Sequence, residues 1–458
     1  MKKRDSGSGR TNKNNINNNS QLIVTNGRLN PEDRTSIAEA LMPNRGPVSD
    51  VDYRTALQLE KSDYGSEPLS LYIHLPFCPS RCLSCDHHTT VTHDSREIDR
   101  YLDTMERELD LVADQVGDRR LLQQLHLGGG TPNYLSEIQL VRLISMIERR
   151  FTLTEGTEAS LDANAHRASH AQLSLLRGLG FTAINLEIRD LDAAVQQAVG
   201  RSQSLSVVRD VVESARDIGF ERITTDLVYG LPRQSASSIA NTLEQLLSLD
   251  PDRISCFAHS RRQEKFEHQR AVDSTELPSL ADKVAMFSRI VDTLSDRAYQ
   301  WIGLDCFARA EDPISIAQNA GALHRNWIGY TPSEGRRVIG LGNSSVSDLS
   351  SITVRNHTSV EAWRGSIDEG RLPVVEGERL NPHQRAQRYA LSDLMCNLQS
   401  TAIEPLFGNI QTPAMQSLVD EGLLELGNDK VAVTEHGRFM LHRLWGDSAP
   451  GHRWDYLV

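Results

Sequence analysis

From residue 69 to residue 258 the chain alternates short apolar runs with stretches of helical period, and that order leaves few folds open. Six runs read as buried strands, at 69–76, 122–127, 158–163, 182–186, 223–228 and 253–258. The segments between them repeat their apolar side chains every three or four residues. The clearest spans 95–116, where Ile98, Tyr101, Leu102, Met105, Leu109 and Val112 fall on one stripe. Other helical patterns cover 137–150, 171–179, 191–199, 205–218 and 237–249. Strands that alternate with helices run parallel, because each helix carries the chain back to the starting edge of the sheet. Six units are too few for the usual eight-stranded barrel. An α/β fold is therefore expected: an open, partial (β/α)6 TIM-like barrel over 68–262, in preference to a doubly wound sheet, followed by a mainly helical C-terminal region.

The flanks read differently. Residues 1–20 are polar and Asn-rich, cannot offset their ordering entropy, and are expected to form a disordered tail. Residues 21–67 are expected to be an arm on the main body, with a short helix at 35–42 and a turn at Gly46-Pro47. After residue 262 the alternation fades into an accessory region, 263–380, with a helix at 278–298. The last part, 381–458, begins with a helix at 382–398. It then reads as helix, hairpin turning at Gly427-Asn428-Asp429 and helix, a winged-helix-like pattern taken as structural. The chain has 61 Asp and Glu against 49 Lys and Arg, a net charge of −12, which argues against a nucleic-acid partner. No apolar run is long enough for a membrane helix, and the first twenty residues hold no signal-peptide core. A cytoplasmic protein with no membrane partner is expected.

Six cysteines in 458 residues do not make a disulfide framework, yet three stand as Cys78-x3-Cys82-x2-Cys85 directly after the first strand. Closely spaced thiolates are soft metal ligands. Three on one loop suit a [4Fe–4S] cluster with one iron left open for substrate. The rival, less favoured by the spacing, is a Cys3His zinc site completed by His87 or His88. At the end of the second strand, Gly128-Gly129-Gly130-Thr131-Pro132 is either a phosphate-style backbone cradle or a tight turn. Every strand ends in polar residues: His74, the glycine run, Asp162 and Asn164, then Glu187, Arg189 and Asp190, then Asp226, then His259 and Ser260. Parallel barrels build their active sites at that edge, from several strands at once.

The segments LYIHLPFCPSRCLSC, HLGGGTPNYL, DLVYGLP and ALHRNWIGYT, in this order, resemble the oxygen-independent coproporphyrinogen III oxidase family of radical S-adenosylmethionine enzymes. The resemblance runs from about Leu69 to Thr331 and implies an oxidoreductase of haem biosynthesis. It implies that Cys78, Cys82 and Cys85 ligate a [4Fe–4S] cluster and that His74 takes part in catalysis. Tyr72, Gly129, Gly130, Thr131 and Asp162 match positions that contact S-adenosylmethionine. Arg189, Arg201, Asp226 and Ser260 match positions at a second molecule of it, and Val346 matches one further position. His324 and Arg325 are expected as anchors for a tetrapyrrole with four carboxylates, in a cavity completed by 263–380. A low-potential electron donor is implied, and a monomer is expected. The expected reaction is oxidative decarboxylation of two propionates to vinyl groups. Rival readings are a radical methyltransferase of the same sequence type and a non-catalytic haem-binding relative.

Several residues depart from the family pattern. Ser84 stands where an aromatic is usual, Asp162 where Glu is usual, and Asp86-His87 where a small residue and Cys are usual. Glu187-Ile188-Arg189 replaces Gly-Val-Gln, Cys306 replaces a His, and Trp327-Ile328 replaces an aromatic-Gln pair. The N-terminal aromatic arm is replaced by Val48-Ser49-Asp50-Val51-Asp52-Tyr53. Arg189 is expected to clasp a cofactor carboxylate through paired N–H donors, unless it pairs internally with Glu187 or Asp226.

Overall fold

The fold is given by a computed structural model that describes residues 45–441 except 65–67, 119, 334–336 and 409–411. The expected tail at 1–20 and helix at 35–42 lie outside the described residues, as does the chain beyond 441. Arg45–Gly46 forms a two-residue strand paired with Gly377 and Glu378, not the expected turn. Helix α1 (Asp50–Tyr64) follows and packs on α2 (Ser95–Val116).

Strand β1 (Leu69–Leu75) lies between them in the chain and is buried along nearly its whole length, as an apolar run covered on both faces must be. Helix α2 is capped by the Asp94 carboxylate, which accepts from Arg96 N, and its predicted stripe is the buried face. Next come β2 (Leu121–Gly129), α3 (Glu137–Glu148), β3 (Thr152–Ala163) and α4 (His170–Gly178). Then follow β4 (Ala183–Arg189), α5 (Ala193–Val199), α6 (Leu205–Ile218), β5 (Arg222–Tyr229), α7 (Ala236–Leu247) and β6 (Arg253–Ala258). Strands β1 to β6 lie side by side in chain order, all parallel. The expected βα alternation is therefore the core of the fold.

The sheet does not stop at the sixth strand. After α8 (Leu280–Asp296), β7 (Tyr299–Gly303) and β8 (Cys306–Arg309) add antiparallel to the β6 edge. At the other edge β9 (Val338–Leu341) runs parallel to β1. Beyond it β10 (Val346–Asp348), β11 (Ile352–Asn356) and β12 (Val374–Arg379) continue antiparallel. The result is one open sheet of thirteen strands. The stretch where the sequence pattern fades is thus rich in strands. They are three to six residues long and most are buried almost throughout, so they carry no clear alternation. Helix α9 (Val360–Asp368) packs back on α2.

The last described part is mostly helical. Helices α10 (Pro382–Asn397) and α11 (Thr412–Asp420) and the hairpin β13 (Leu424–Leu426) and β14 (Val431–Val433) bury Leu394, Met395, Leu418 and Val431 against Ile302, Ile314 and Leu323. This second apolar core is separate from the main one beneath the sheet. Each fully buried Leu or Ile in it contributes about 1.5–3 kcal/mol.

One buried carboxylate joins the barrel to the later strands. Glu108 on α2 accepts hydrogen bonds from Gly342 N at 2.8 Å, Trp363 Nε1 at 3.0 Å and Asn356 Nδ2 at 2.7 Å. Burial pushes its carboxyl up to about 7, although those three bonds pull the other way. Between its ordinary 4.5 and that value the folded chain holds the proton more tightly than the unfolded chain does. The stabilising contribution is full below the ordinary value and is lost as pH rises through about 7. Glu108→Gln is neutral at every pH and should lose this slope. Thermal melts should show the variant gaining on the wild type by on the order of 1–3 kcal/mol between about pH 5 and pH 8.

Candidate active site

The site starts at the end of β1. Tyr72 and His74 point to the same face, two residues apart, and Pro76-Phe77 carries the chain into the cysteine loop. Phe77–Cys78 pairs in parallel with Thr90–Val91, which closes the loop at its base. Arg81 Nη2 donates to Thr89 O at 2.8 Å, and Leu83 N donates to Val199 O at 2.9 Å. From the far side, His268 Nε2 and Gln269 Nε2 donate to Cys85 O at 2.6 Å and 3.0 Å. The loop is thus tied at its base, middle and tip. Cys78 and Cys82 are half-buried and Cys85 is buried, all three as free thiols.

The glycine run serves packing. A Cβ at Gly129, whose φ is +107°, would lie 2.7 Å from the His74 ring, and one at Gly130 would lie 2.7 Å from Pro76 O. Gly130 N and Thr131 N donate to Leu75 O at 2.8 Å and Phe77 O at 2.9 Å, so these two amides are spent on the root of the cysteine loop. The reading of the run as a cradle of exposed amide donors is corrected there. The glycines let β2 close against the loop, and Thr131 Oγ1 then donates to Cys78 Sγ at 3.4 Å.

His74 is buried and its imidazole is pushed down to about 3, chiefly by burial, so it is neutral near pH 7. Its Nε2 faces His88 O at 3.2 Å and Ser344 Oγ at 3.3 Å, and a carbonyl can only accept. The proton therefore sits on Nε2. Nδ1, 3.3 Å from the Tyr72 hydroxyl, is left to accept from it. Across the next three strands, Asn185 Nδ2 donates to Asp162 Oδ1 at 2.9 Å and Asp226 Oδ2 at 2.8 Å, tying the two carboxylates to one amide.

Arg189 ends β4 in the left-handed region, with φ of 66°. Its guanidinium stands 3.9 Å from Glu187, the internal partner that was the alternative to a cofactor clasp. Arg201 holds the same carboxylate at 3.5 Å, bonds Glu187 O at 2.6 Å and reaches Cys82 Sγ at 3.8 Å. Burial disfavours the Arg189 charge, but Glu187 and Asp86 outweigh it and keep the group cationic. At the loop tip, burial raises the Cys85 thiol but His268, His87 and Arg189 bring it down to about 6. Cys78 is driven by burial to about 11.

These residues lie at one end of the parallel sheet, around three adjoining cavities in place of the one expected. The first, about 870 Å³, is lined by the three cysteines, Thr131, Arg189 and Arg201. The second, about 930 Å³, is lined by Tyr72, His74, Asp162, Lys265, Val346 and Arg355 among others. The third, about 490 Å³, is lined by Asp86, Glu187, Arg189, Asp226 and His259. Gly129 and His87 border the first two, and Arg189 borders the first and third. Ser260 is buried and lines none of them. Nor does His324, on a two-residue strand, and Arg325 faces a different cleft. Sequence reasoning missed Asn185, Lys265, Arg355 and His268. Only Asn185 left a signal, as a polar residue inside an apolar strand.

Among the described residues no three His, Cys, Asp or Glu side chains converge on a single ion position. The three thiols all border the first cavity. Several buried polar atoms around the cavities lack a hydrogen-bond partner: Ser84 Oγ, His88 Nε2, Arg189 Nε, Arg201 Nε and His259 Nε2. An unsatisfied buried group costs about 1–3 kcal/mol. Five around one set of cavities fit a polar ligand that completes them.

A family model described as the radical SAM superfamily matches residues 72–246. An oxygen-independent coproporphyrinogen III oxidase of Pseudomonas aeruginosa is 32% identical over 397 residues, 84% of this chain and 86% of that protein. The chain belongs to this family. A Synechocystis sp. oxygen-independent coproporphyrinogen III oxidase is 32% identical over 407 residues, 86% of this chain and 87% of that protein. The solved structure of coproporphyrinogen III oxidase from Escherichia coli, a radical SAM enzyme, superposes with a TM-score of 0.81 at 30% identity, over 86% of this chain and 92% of that one. Family membership brings a [4Fe–4S] cluster and S-adenosylmethionine, and so decides against zinc at the loop. Anaerobically purified protein should show broad charge-transfer absorption. Cys78→Ala, Cys82→Ala or Cys85→Ala should abolish it, with iron and sulfide falling to background. Cys256→Ala, Cys306→Ala and Cys396→Ala should retain it.

Proposed function

We propose that this chain is an oxygen-independent coproporphyrinogen III oxidase that converts two propionates of coproporphyrinogen III to vinyl groups, giving protoporphyrinogen IX. The observation that carries this is the reach of the likeness. It extends over 84% of the chain, beyond the barrel into the strands and loops that wall the second cavity. Lys265, Phe266, Trp327 and Arg355 on that wall all come from the accessory region 263–380, which supports reading it as the part that completes the substrate cavity. On this reading 68–262 is the barrel that carries the site, and the part from 381 is a helical, winged-helix-like structural end. No described helix is long and apolar enough to cross a membrane. A cytoplasmic monomer with a low-potential electron donor remains the working picture.

Cys78, Cys82 and Cys85 would hold three irons of the cluster. When bound, the cluster and S-adenosylmethionine supply a carbon radical able to take a hydrogen atom from a propionate β-carbon. The remaining work belongs to the chain. Thr131 and Arg201 donate to the cluster thiolates. Lys265 and Arg355 place cations in the second cavity, where a propionate carboxylate is drawn in against the chain's net acidity. Neutral His74 holds the Tyr72 hydroxyl in place and adds no charge to the second cavity. Phe266, Trp327 and Ile328 exclude water.

The third cavity supports a finer reading. Arg189 and Glu187 occupy it as a mutually compensating pair beside Asp86 and Asp226. One S-adenosylmethionine per chain, in the first cavity, follows from that pairing. Anaerobic incubation of the reconstituted protein with reductant, S-adenosylmethionine and coproporphyrinogen III should yield protoporphyrinogen IX with 5′-deoxyadenosine. A methylated product, or stoichiometric haem binding without turnover, would point to the rival readings. Equilibrium dialysis should give one S-adenosylmethionine per chain, rising towards two in Arg189→Gln, whereas two in the wild type would overturn the internal pairing.

A further inference from the structure

A separate cleft lies between the segment around Arg325, the end of β10 and the first turns of α10. It encloses about 650 Å³ and is lined by four guanidinium groups, from Arg325, Arg337, Arg385 and Arg388, against one carboxylate, Asp348. Two of the four are committed to protein anions. Arg388 pairs with Asp348 and bonds Thr353 Oγ1 at 2.9 Å, and Arg337 pairs with Glu60 at 2.9 Å. Arg325 lies with its guanidinium carbon 5.4 Å from the centre of the Tyr330 ring. Arg385 is half-buried in the first turn of α10 and makes no side-chain hydrogen bond or ion pair among the described residues. The rest of the wall includes Leu349, Leu380 and Met395. In a chain of net charge −12, a half-buried surplus of cations set in apolar surface favours an amphiphilic anion.

The cleft is contiguous with the catalytic end. Trp327 lines both it and the second cavity, so the indole separates the two. A substrate with four carboxylates, of which two react, must have the others held away from the reacting position. We propose that this cleft is a subsite for a non-reacting propionate of the tetrapyrrole, with Arg385 and Arg325 as its carboxylate partners and Trp327 packed against the macrocycle. Guanidinium groups meet a carboxylate with paired donors, and the apolar wall takes the two methylenes of the propionate. This inference rests on the tetrapyrrole reading above.

Coproporphyrin III, the stable oxidised form, is the probe, titrated anaerobically into reconstituted holoenzyme and followed by its absorption and by tryptophan fluorescence. Arg385→Gln and Arg325→Gln should each raise its Kd about tenfold. Arg385→Lys should recover only part of the loss. Binding of the tetramethyl ester, which has no carboxylate, should be the same in wild type and variants. S-adenosylmethionine binding should also be unchanged, which separates a lost subsite from a damaged fold. An unaltered Kd for coproporphyrin III in both Gln variants would overturn the subsite and leave the proposed activity standing. If the wild type binds S-adenosylmethionine but no coproporphyrin III, the tetrapyrrole reading falls and the subsite with it.

Discussion

Strand β1 is held on both edges by parallel ladders, to β9 and to β2, and the catalytic end depends on that double clamp. A strand with both edges paired and both faces covered cannot shift register without breaking two rows of bonds and exposing apolar side chains. Tyr72, His74 and the root of the cysteine loop are therefore fixed before any ligand arrives. Gly129 and Gly130 allow β2 to close within a distance that any Cβ would forbid. The same clamp draws in the later strands: β9 reaches β1 because Gly342, just beyond it, is bonded to Glu108 on α2.

Charge is placed at the C-terminal edge because strand ends there are free to present it. Burial makes each group costly, so each is compensated by another. Glu187 stands between two arginines, Asp162 and Asp226 share the Asn185 amide, and Asp86 is held by His87 at 3.1 Å. Most of the charge at these cavities is thus paired within the protein. At these cavities the atoms left without a hydrogen-bond partner include Ser84 Oγ, His88 Nε2, Arg189 Nε, Arg201 Nε and His259 Nε2.

The legible part of the fold is the part set by local period. The α2 stripe and the six parallel strands follow from spacing alone, because each is long and covered on both faces or on one continuous side. Strands β7 to β12 were not legible. Segments such as Val346–Asp348 are three residues long, and their burial is decided by neighbours far away in the chain. In the site, the cysteines and the glycine run stand out because cluster ligation and close backbone approach each demand one residue type. Lys265, Arg355 and Arg385 do not stand out. A surface arginine and a cavity arginine look alike in sequence, and only long-range packing tells them apart.

The departures from the family pattern are themselves tied together by contact. Ser84, Asp86, Glu187 and Arg189 all border the third cavity, so a change at one alters the charge seen by the rest. An arginine at position 189 beside a glycine at 187 would leave a buried cation short of its nearest anion, at a cost of several kcal/mol. With Glu187 present the pair is compensated, and Arg201 shares the same carboxylate. The shorter Asp162 fits the same account. Its carboxylate accepts from the Asn185 amide that also bonds Asp226, and Gly128 leaves it room, since a Cβ there would sit 3.0 Å from Asp162 Oδ2. Ser84, Asp86, Glu187 and Arg189 therefore act as a linked set around the third cavity, and Glu187 and Arg189 carry that set to the wall of the first. The root of the cysteine loop lies outside that set, held by the Gly130 and Thr131 amides on Leu75 O and Phe77 O.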